Sequence, residues 1–202
     1  LIPCILRDMP VSSAANVLKK IIRHKQHFLG IGLDSAEHGY PPHLFNDIFR
    51  QARQHGLLSF AHAGEEGSAS YIWEAIELLK VRRIDHGVRA TEDETLMNYL
   101  VNTRIPLTTC PLSNTKLKVF SEMRAHPIKK FLSYDICATI NSDDPAYFGG
   151  YINDNFKAIA NTHKLTKQQL YKLAKNSFNA SVLTAQQREK YIKELNVYYE
   201  RH

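Results

Sequence analysis

Six short apolar runs, each closing on a polar residue and each separated from the next by a helix-length stretch, restrict this chain to a repeating βα architecture. The runs cover residues 1–6, 28–33, 57–61, 83–84, 105–109 and 136–140. With Arg7, Asp34, His62, His86, Cys110 and Asp143 as their ends, successive intervals are 27, 28, 24, 24 and 33 residues. A βα unit needs roughly 30 residues, so little inserted material is left over. The intervening segments have helical spacing. Residues 12–23 are apolar at Ala14, Ala15, Val17, Leu18, Ile21 and Ile22; residues 42–55 at Leu44, Phe45, Ile48, Phe49 and Ala52; residues 70–80 at Ile72, Ala75, Ile76 and Leu79. His55-Gly56 is a helix stop. From Leu165 onward the chain reads as helical, opened by a Thr166-x-x-Gln169 capping box with Leu170, Leu173, Ala174, Phe178 and Val182 on one face.

These features predict an α/β fold, a (β/α)₈ TIM-type barrel present here as roughly six βα units plus C-terminal helices, forming one domain over residues 1–202. Six strands do not close an eight-stranded barrel, and the chain starts inside an apolar run without Met. About two further βα units are therefore expected ahead of Leu1; an open six-stranded sheet is the structural alternative. At 44% hydrophobic over 202 residues the chain can bury a substantial core. No apolar stretch approaches the ~18–20 residues of a membrane span, and the first residues do not resemble a cleavable signal. Cys4, Cys110 and Cys137 show no CxxC spacing, which reads as three buried thiols in a reducing, cytoplasmic setting. The net charge of +6 could suggest nucleic acid, but basic residues are scattered, with only Lys19-Lys20, Arg82-Arg83 and Lys129-Lys130 adjacent. No nucleic-acid or membrane partner is expected.

The chemistry lies where the runs end. Three clusters follow apolar runs: His62-Ala-Gly-Glu65, Asp85-His86-Gly87 and Asn141-Ser-Asp143-Asp144-Pro145. A barrel gathers its catalytic side chains at the carboxyl ends of its strands. A lone His there is more often structural, but Gly64 permits a tight turn that brings Glu65 back over His62. Asp143-Asp144 is compatible with an exposed turn or with a buried pair that needs a cation or donors. Beside two imidazoles it reads better as one metal ligand plus one substrate acceptor. Imidazole with carboxylate suits zinc, one ion per site, with a position left open for water. Such an ion lowers the pKa of water toward ~7. Glu65 and His86 are then the candidates for moving protons and orienting the nucleophile.

The motifs HAGE at 62–65, RIDHG at 83–87, CPLSN at 110–114 and NSDDP at 141–145 resemble, in order and interval, the adenosine/adenine deaminase family of metal-dependent aminohydrolases. The resemblance implies that His62 and Asp143 bind zinc and that Glu65 protonates the purine ring nitrogen. It implies that His86 orients and deprotonates the water and that Asp144 accepts a hydrogen bond from the purine. The segment from Gly32 to Glu37 resembles the family's purine-contacting loop, which points to Ser35. The family's His-x-His motif is not found: the ten His stand at 24, 27, 38, 43, 55, 62, 86, 126, 163 and 202, no two of them two apart. Two further His ligands are therefore expected from a preceding segment. Asp85 before His86, with the run from Cys110 to Leu117, resembles the adenine deaminase branch. The implied function is zinc-dependent hydrolytic deamination of adenine, a small-molecule purine, to hypoxanthine and ammonia in purine salvage, with self-association into a homo-oligomer left open. The alternatives are an adenosine or N6-substituted adenine deaminase on the same scaffold, or an inactive binding fragment. A carboxylated-lysine amidohydrolase is disfavoured because no Lys ends a predicted strand. The base-flipping zinc deaminases use P-C-x-x-C, and Cys110 lacks the second Cys.

Overall fold

Strands and helices alternate along the chain, and all the strand pairs described below are parallel. A computed structural model describes residues 1–202 as two compact units, Leu1–Met97 and Asn98–His202. The first contains β1 (Cys4–Leu6), α1 (Val11–Arg23), β2 (Gly30–Asp34), α2 (Asn46–Gln54), β3 (Leu58–Ala63), α3 (Ala69–Glu77) and β4 (Arg83–His86). Cys4 pairs with Gly32, Gly30 with Leu58, and His62 with Asp85, in parallel register. A parallel pair needs a crossover, and a right-handed helical crossover is nearly universal.

The helices cover one face of the strands. Ala14, Leu18 and Ile21 of α1, Ile48, Phe49 and Ala52 of α2, and Ile72, Ala75 and Ile76 of α3 are buried at three- and four-residue spacing. Ile5, Ile31, Leu33, Ala61 and Ile84 of the strands are also buried. Each such Leu, Ile or Phe contributes ~1.5–3 kcal/mol relative to exposure. Side chains alternate between faces in a strand, so β1 reads exposed-buried-exposed.

In the second unit β5 (Leu107–Thr109) pairs in parallel with β6 (Ala138–Ile140), in register Leu107 to Ala138. Its helices are α5 (Pro111–Lys116), α6 (Ile128–Ser133), α7 (Pro145–Phe148), α8 (Ile152–His163), α9 (Lys167–Ala180) and α10 (Ala185–Arg201); α4 (Glu94–Thr103) spans the change of unit. α9 packs on β6, with Leu173 buried and Asn176 Nδ2 donating to Ala138 O at 2.9 Å. No helix is long and apolar enough to cross a membrane.

The α/β class and the six strands agree with expectation; several boundaries do not. Residues 1–3 lie outside β1, because Pro3 has no N–H to give a ladder, although Leu1 O and Pro3 O accept from Leu29 and Gly32. β3 runs on through His62 and Ala63, so His62 lies within the strand. The segment 42–55 opens as a 3₁₀ turn, Pro42–Phe45, before α2. The Thr166–Gln169 capping box forms with both bonds, 2.9 and 3.2 Å. The helix it opens stops at Ala180, and a second box at Thr184 and Gln187 starts another. Val182 sits in the break between them and is exposed. Cys110 and Cys137 are buried, but Cys4 is exposed, on the face of β1 away from Ile5.

His126, in the second unit, is 2% exposed with no protein partner on either ring nitrogen. Phe120 packs edge-on to it at 5.6 Å. Burial, with His163 nearby, pushes its pKa down to about 3. The folded ring stays neutral while the unfolded chain takes a proton near pH ~6.5. Stability is therefore fully present above that value and falls as pH drops toward 3, by ~1.4 kcal/mol per pH unit for one proton. Urea titrations from pH 7 to 4 should show His126→Leu flattening this dependence by one proton. An unchanged slope would assign it elsewhere.

Candidate active site

The carboxyl ends of β3 and β4 bring His62, Glu65 and His86 together. One potential ligand atom from each lies within 4.8 Å of the others. Glu65 Oε1 stands 3.2 Å from His86 Nδ1, and the two imidazoles meet edge-to-face with centroids 4.8 Å apart. Because His62 pairs with Asp85 across the ladder, those two side chains share a face, and regular strand geometry would send His86 to the other. His86 has φ 66° and Gly87 φ 67°. Two successive left-handed residues end the strand and re-aim the ring toward His62. Such strain on a non-glycine residue costs of order 1–3 kcal/mol and clusters at functional sites.

Glu65 reaches His86 through the turn after β3. Gly64, read from the sequence as permitting a tight turn, has φ 72°, and a Cβ there would clash with Ile72 Cδ1. Burial, reinforced by the facing His62, holds the His86 pKa well below the usual imidazole range, so at pH 7 this ring is neutral and can accept a proton. Nδ1 faces Glu65, which leaves Nε2 directed elsewhere.

Asp85, expected beside the substrate, is half-buried on the same face as His62, and its Oδ1 accepts from Arg83 Nε at 2.8 Å. Arg83 in turn lies over the Phe60 ring at 4.8 Å. Ser35 is half-buried directly after β2 with φ 71°. In the second unit Asp143 is exposed with φ 57°. Asp144 caps α7, its Oδ1 accepting from the amides of Ala146 at 3.0 Å and Tyr147 at 3.3 Å. That cap gives the second carboxylate a local role which the turn-versus-site choice had not included.

Three charged residues at the turn escaped the sequence reading. Arg7 is fully buried and donates through Nη1 to His62 O and through Nε to Tyr40 O, both at 2.8 Å. Glu37, 1% exposed, accepts from the amides of Gly64, Glu65 and Gly67. Burial pushes its carboxyl up, against the Arg7 charge and those amides. Arg89 donates through Nε to Glu65 O at 3.0 Å. Arg7 and Glu37 both stood in quoted segments, but nothing local marks which backbone they hold.

The profile of the family described as adenosine deaminase matches residues 1–198. The chain belongs to the adenosine deaminase family. It is 50% identical over 202 residues to an adenine deaminase of Hahella chejuensis, covering all of this chain and 60% of that one. It is 53% identical over 189 residues to an adenine deaminase of Crocosphaera subtropica, covering 94% and 58%. The crystal structure of an adenine deaminase from Arthrobacter aurescens superposes with TM-score 0.96 at 41% identity, over 99% of this chain and 61% of that one. That match carries the barrel-type fold expected from the βα repeat. The chain thus spans about 60% of the length of the curated relatives it matches. An amidohydrolase from Burkholderia ambifaria solved with bound zinc shares the fold, with TM-score 0.92 at 23% identity over all of this chain and 57% of that one.

Gly64→Ala should lower stability by about 2–4 kcal/mol, combining the left-handed backbone with a contact on fully buried Ile72. Gly56→Ala is the control: φ there is 83° and nothing lies within 4 Å of the added Cβ, so only the backbone cost of ~1–2 kcal/mol remains. Equal urea midpoints for the two variants would show that Ile72 does not restrict the turn.

Proposed function

We propose that this chain acts in the zinc-dependent hydrolytic deamination of adenine, releasing ammonia and leaving hypoxanthine, in cytoplasmic purine salvage. The observation that carries the proposal is the Glu65–His86 pair at 3.2 Å beside His62, in a chain of this family with adenine deaminases among its relatives at about 50% identity. The donor chemistry fits zinc, which takes imidazole nitrogen and carboxylate oxygen; His62 and Asp143 would hold it. Bound zinc would supply the Lewis acidity that brings the pKa of water toward ~7.

The chain's own groups do the rest. Neutral His86 takes the proton of the attacking water and returns it to the amino group as the C–N bond breaks and ammonia leaves. Glu65 gives a proton to the purine ring nitrogen next to the carbon under attack, so that negative charge does not build up on the ring. The added hydroxyl gives its proton back to Glu65 as the carbonyl forms. Asp144 accepts a hydrogen bond from the purine, and Ser35 contacts it from the loop after β2. Asp85, fixed by Arg83, supports a free base over a nucleoside: adenine has an N–H where ribose would be attached, and a fixed carboxylate can accept from it.

Ammonia release by the full-length protein should favour adenine over adenosine and N6-substituted adenines by about 10²-fold or more in kcat/KM, since a site that hydrogen-bonds a substrate N–H discriminates against the analogue lacking it. Preference for adenosine would overturn the substrate assignment. Glu65→Gln keeps the side chain's shape but cannot donate the proton, so kcat should fall ~10²–10⁴-fold at unchanged metal content. Near-normal turnover would remove Glu65 as the acid.

A further inference from the structure

The turn over residues 62–67 is held at six backbone groups by charged residues from other parts of the first unit. Arg7 at the end of β1 takes His62 O. Arg89 takes Gly64 O through its amide at 2.9 Å and Glu65 O through Nε at 3.0 Å. Glu37, from the loop after β2, takes three amides: Oε2 accepts from Gly64 N at 3.1 Å and Gly67 N at 2.6 Å, and Oε1 accepts from Glu65 N at 3.3 Å. The link is reciprocal, because Glu37 N donates to Glu66 Oε2 at 3.0 Å. Gly67 approaches closely enough that a Cβ there would lie 2.7 Å from Glu37 Oε2.

A turn at the edge of a sheet can leave its amides to water at little cost. Here a carboxylate is buried instead, against a substantial desolvation penalty, and is offset by charge-assisted bonds of about twice the ordinary strength. What that arrangement adds is position. The same carboxylate fixes the backbone of Glu65 and belongs to the loop that carries Ser35. We propose that Glu37 is a positioning residue for Glu65, locking the 64–67 turn to the loop after β2 so that the Glu65 carboxyl is held against His86. The proposal rests on the assignment of Glu65 as the proton donor.

The two oxygens make the test selective. In Glu37→Gln the side-chain oxygen keeps the pair of bonds to Gly64 and Gly67, and the new NH₂ then faces the Glu65 N–H, donor against donor. The turn stays tethered while the Glu65 amide loses its acceptor. In the full-length protein, kcat on adenine should fall about 10–10²-fold, the scale of a small misplacement of a reacting group, with KM within about threefold and metal content unchanged. In a Glu65→Gln background the same substitution should change residual kcat by less than about threefold, since a residue that acts through another is non-additive with it.

Additive losses in this cycle would overturn the positioning role while leaving the Glu65 assignment intact. Near-normal kcat in Glu65→Gln alone would overturn the assignment, and the proposal with it. If Glu37→Gln does not fold, Glu37→Asp, which keeps the charge opposite Arg7, carries the same cycle with the same expectation.

Discussion

Parallel pairing is the constraint on which the rest of the structure depends. A parallel strand must be followed by a crossover, so in the first unit β1 to β4 all point the same way and all end at one edge. The helices that make the crossovers bury Ile5, Ile31, Ala61 and Ile84 on one side and leave the ends to polar residues. Arg7, Asp34, His62 and His86 stand at one edge for that reason. The chemistry is a consequence of strand direction.

A polar edge of this kind carries a cost, and the structure meets it with long-range charge. Fully buried Arg7 and nearly buried Glu37 would each be strongly unfavourable if isolated. They are tolerated because the turn after β3 presents them with a carbonyl and three amides. The same bonds fix a turn that Gly64 makes sterically accessible. Stability and the geometry of the candidate site are therefore coupled at this turn: a change that loosens the backbone also moves Glu65. His86 shows the coupling from the other side, since its left-handed φ and its lowered pKa both come from being placed deep beside His62 rather than at a relaxed strand end.

Much of this was legible in the chain itself, for a physical reason. Apolar periodicity is a local property, and burial acts on it directly. The helix at residues 12–23 and the capping box at Thr166 could be read off because the contacts that make each one join residues no more than four positions apart. The HAGE turn was legible too: Gly64 takes a positive φ without the steric cost of a Cβ. Val182 failed because a continuous apolar stripe does not reveal a break; the second box at Thr184 decides where the helix restarts. The 3₁₀ turn at Pro42–Phe45 was missed for a similar reason, since its residues fit either period.

Sequence alone determined that strands and helices alternate, and that imidazoles and carboxylates stand at or just beyond the strand ends. Tertiary structure decided which of them meet. Register places His62 opposite Asp85, two left-handed residues turn His86 back toward His62, and Glu37 reaches the amides of residues 27 to 30 positions further on. No window along the chain contains both partners of such a bond. Its existence depends on how β2 and β3 align, and that is fixed by the packing of the helices between them.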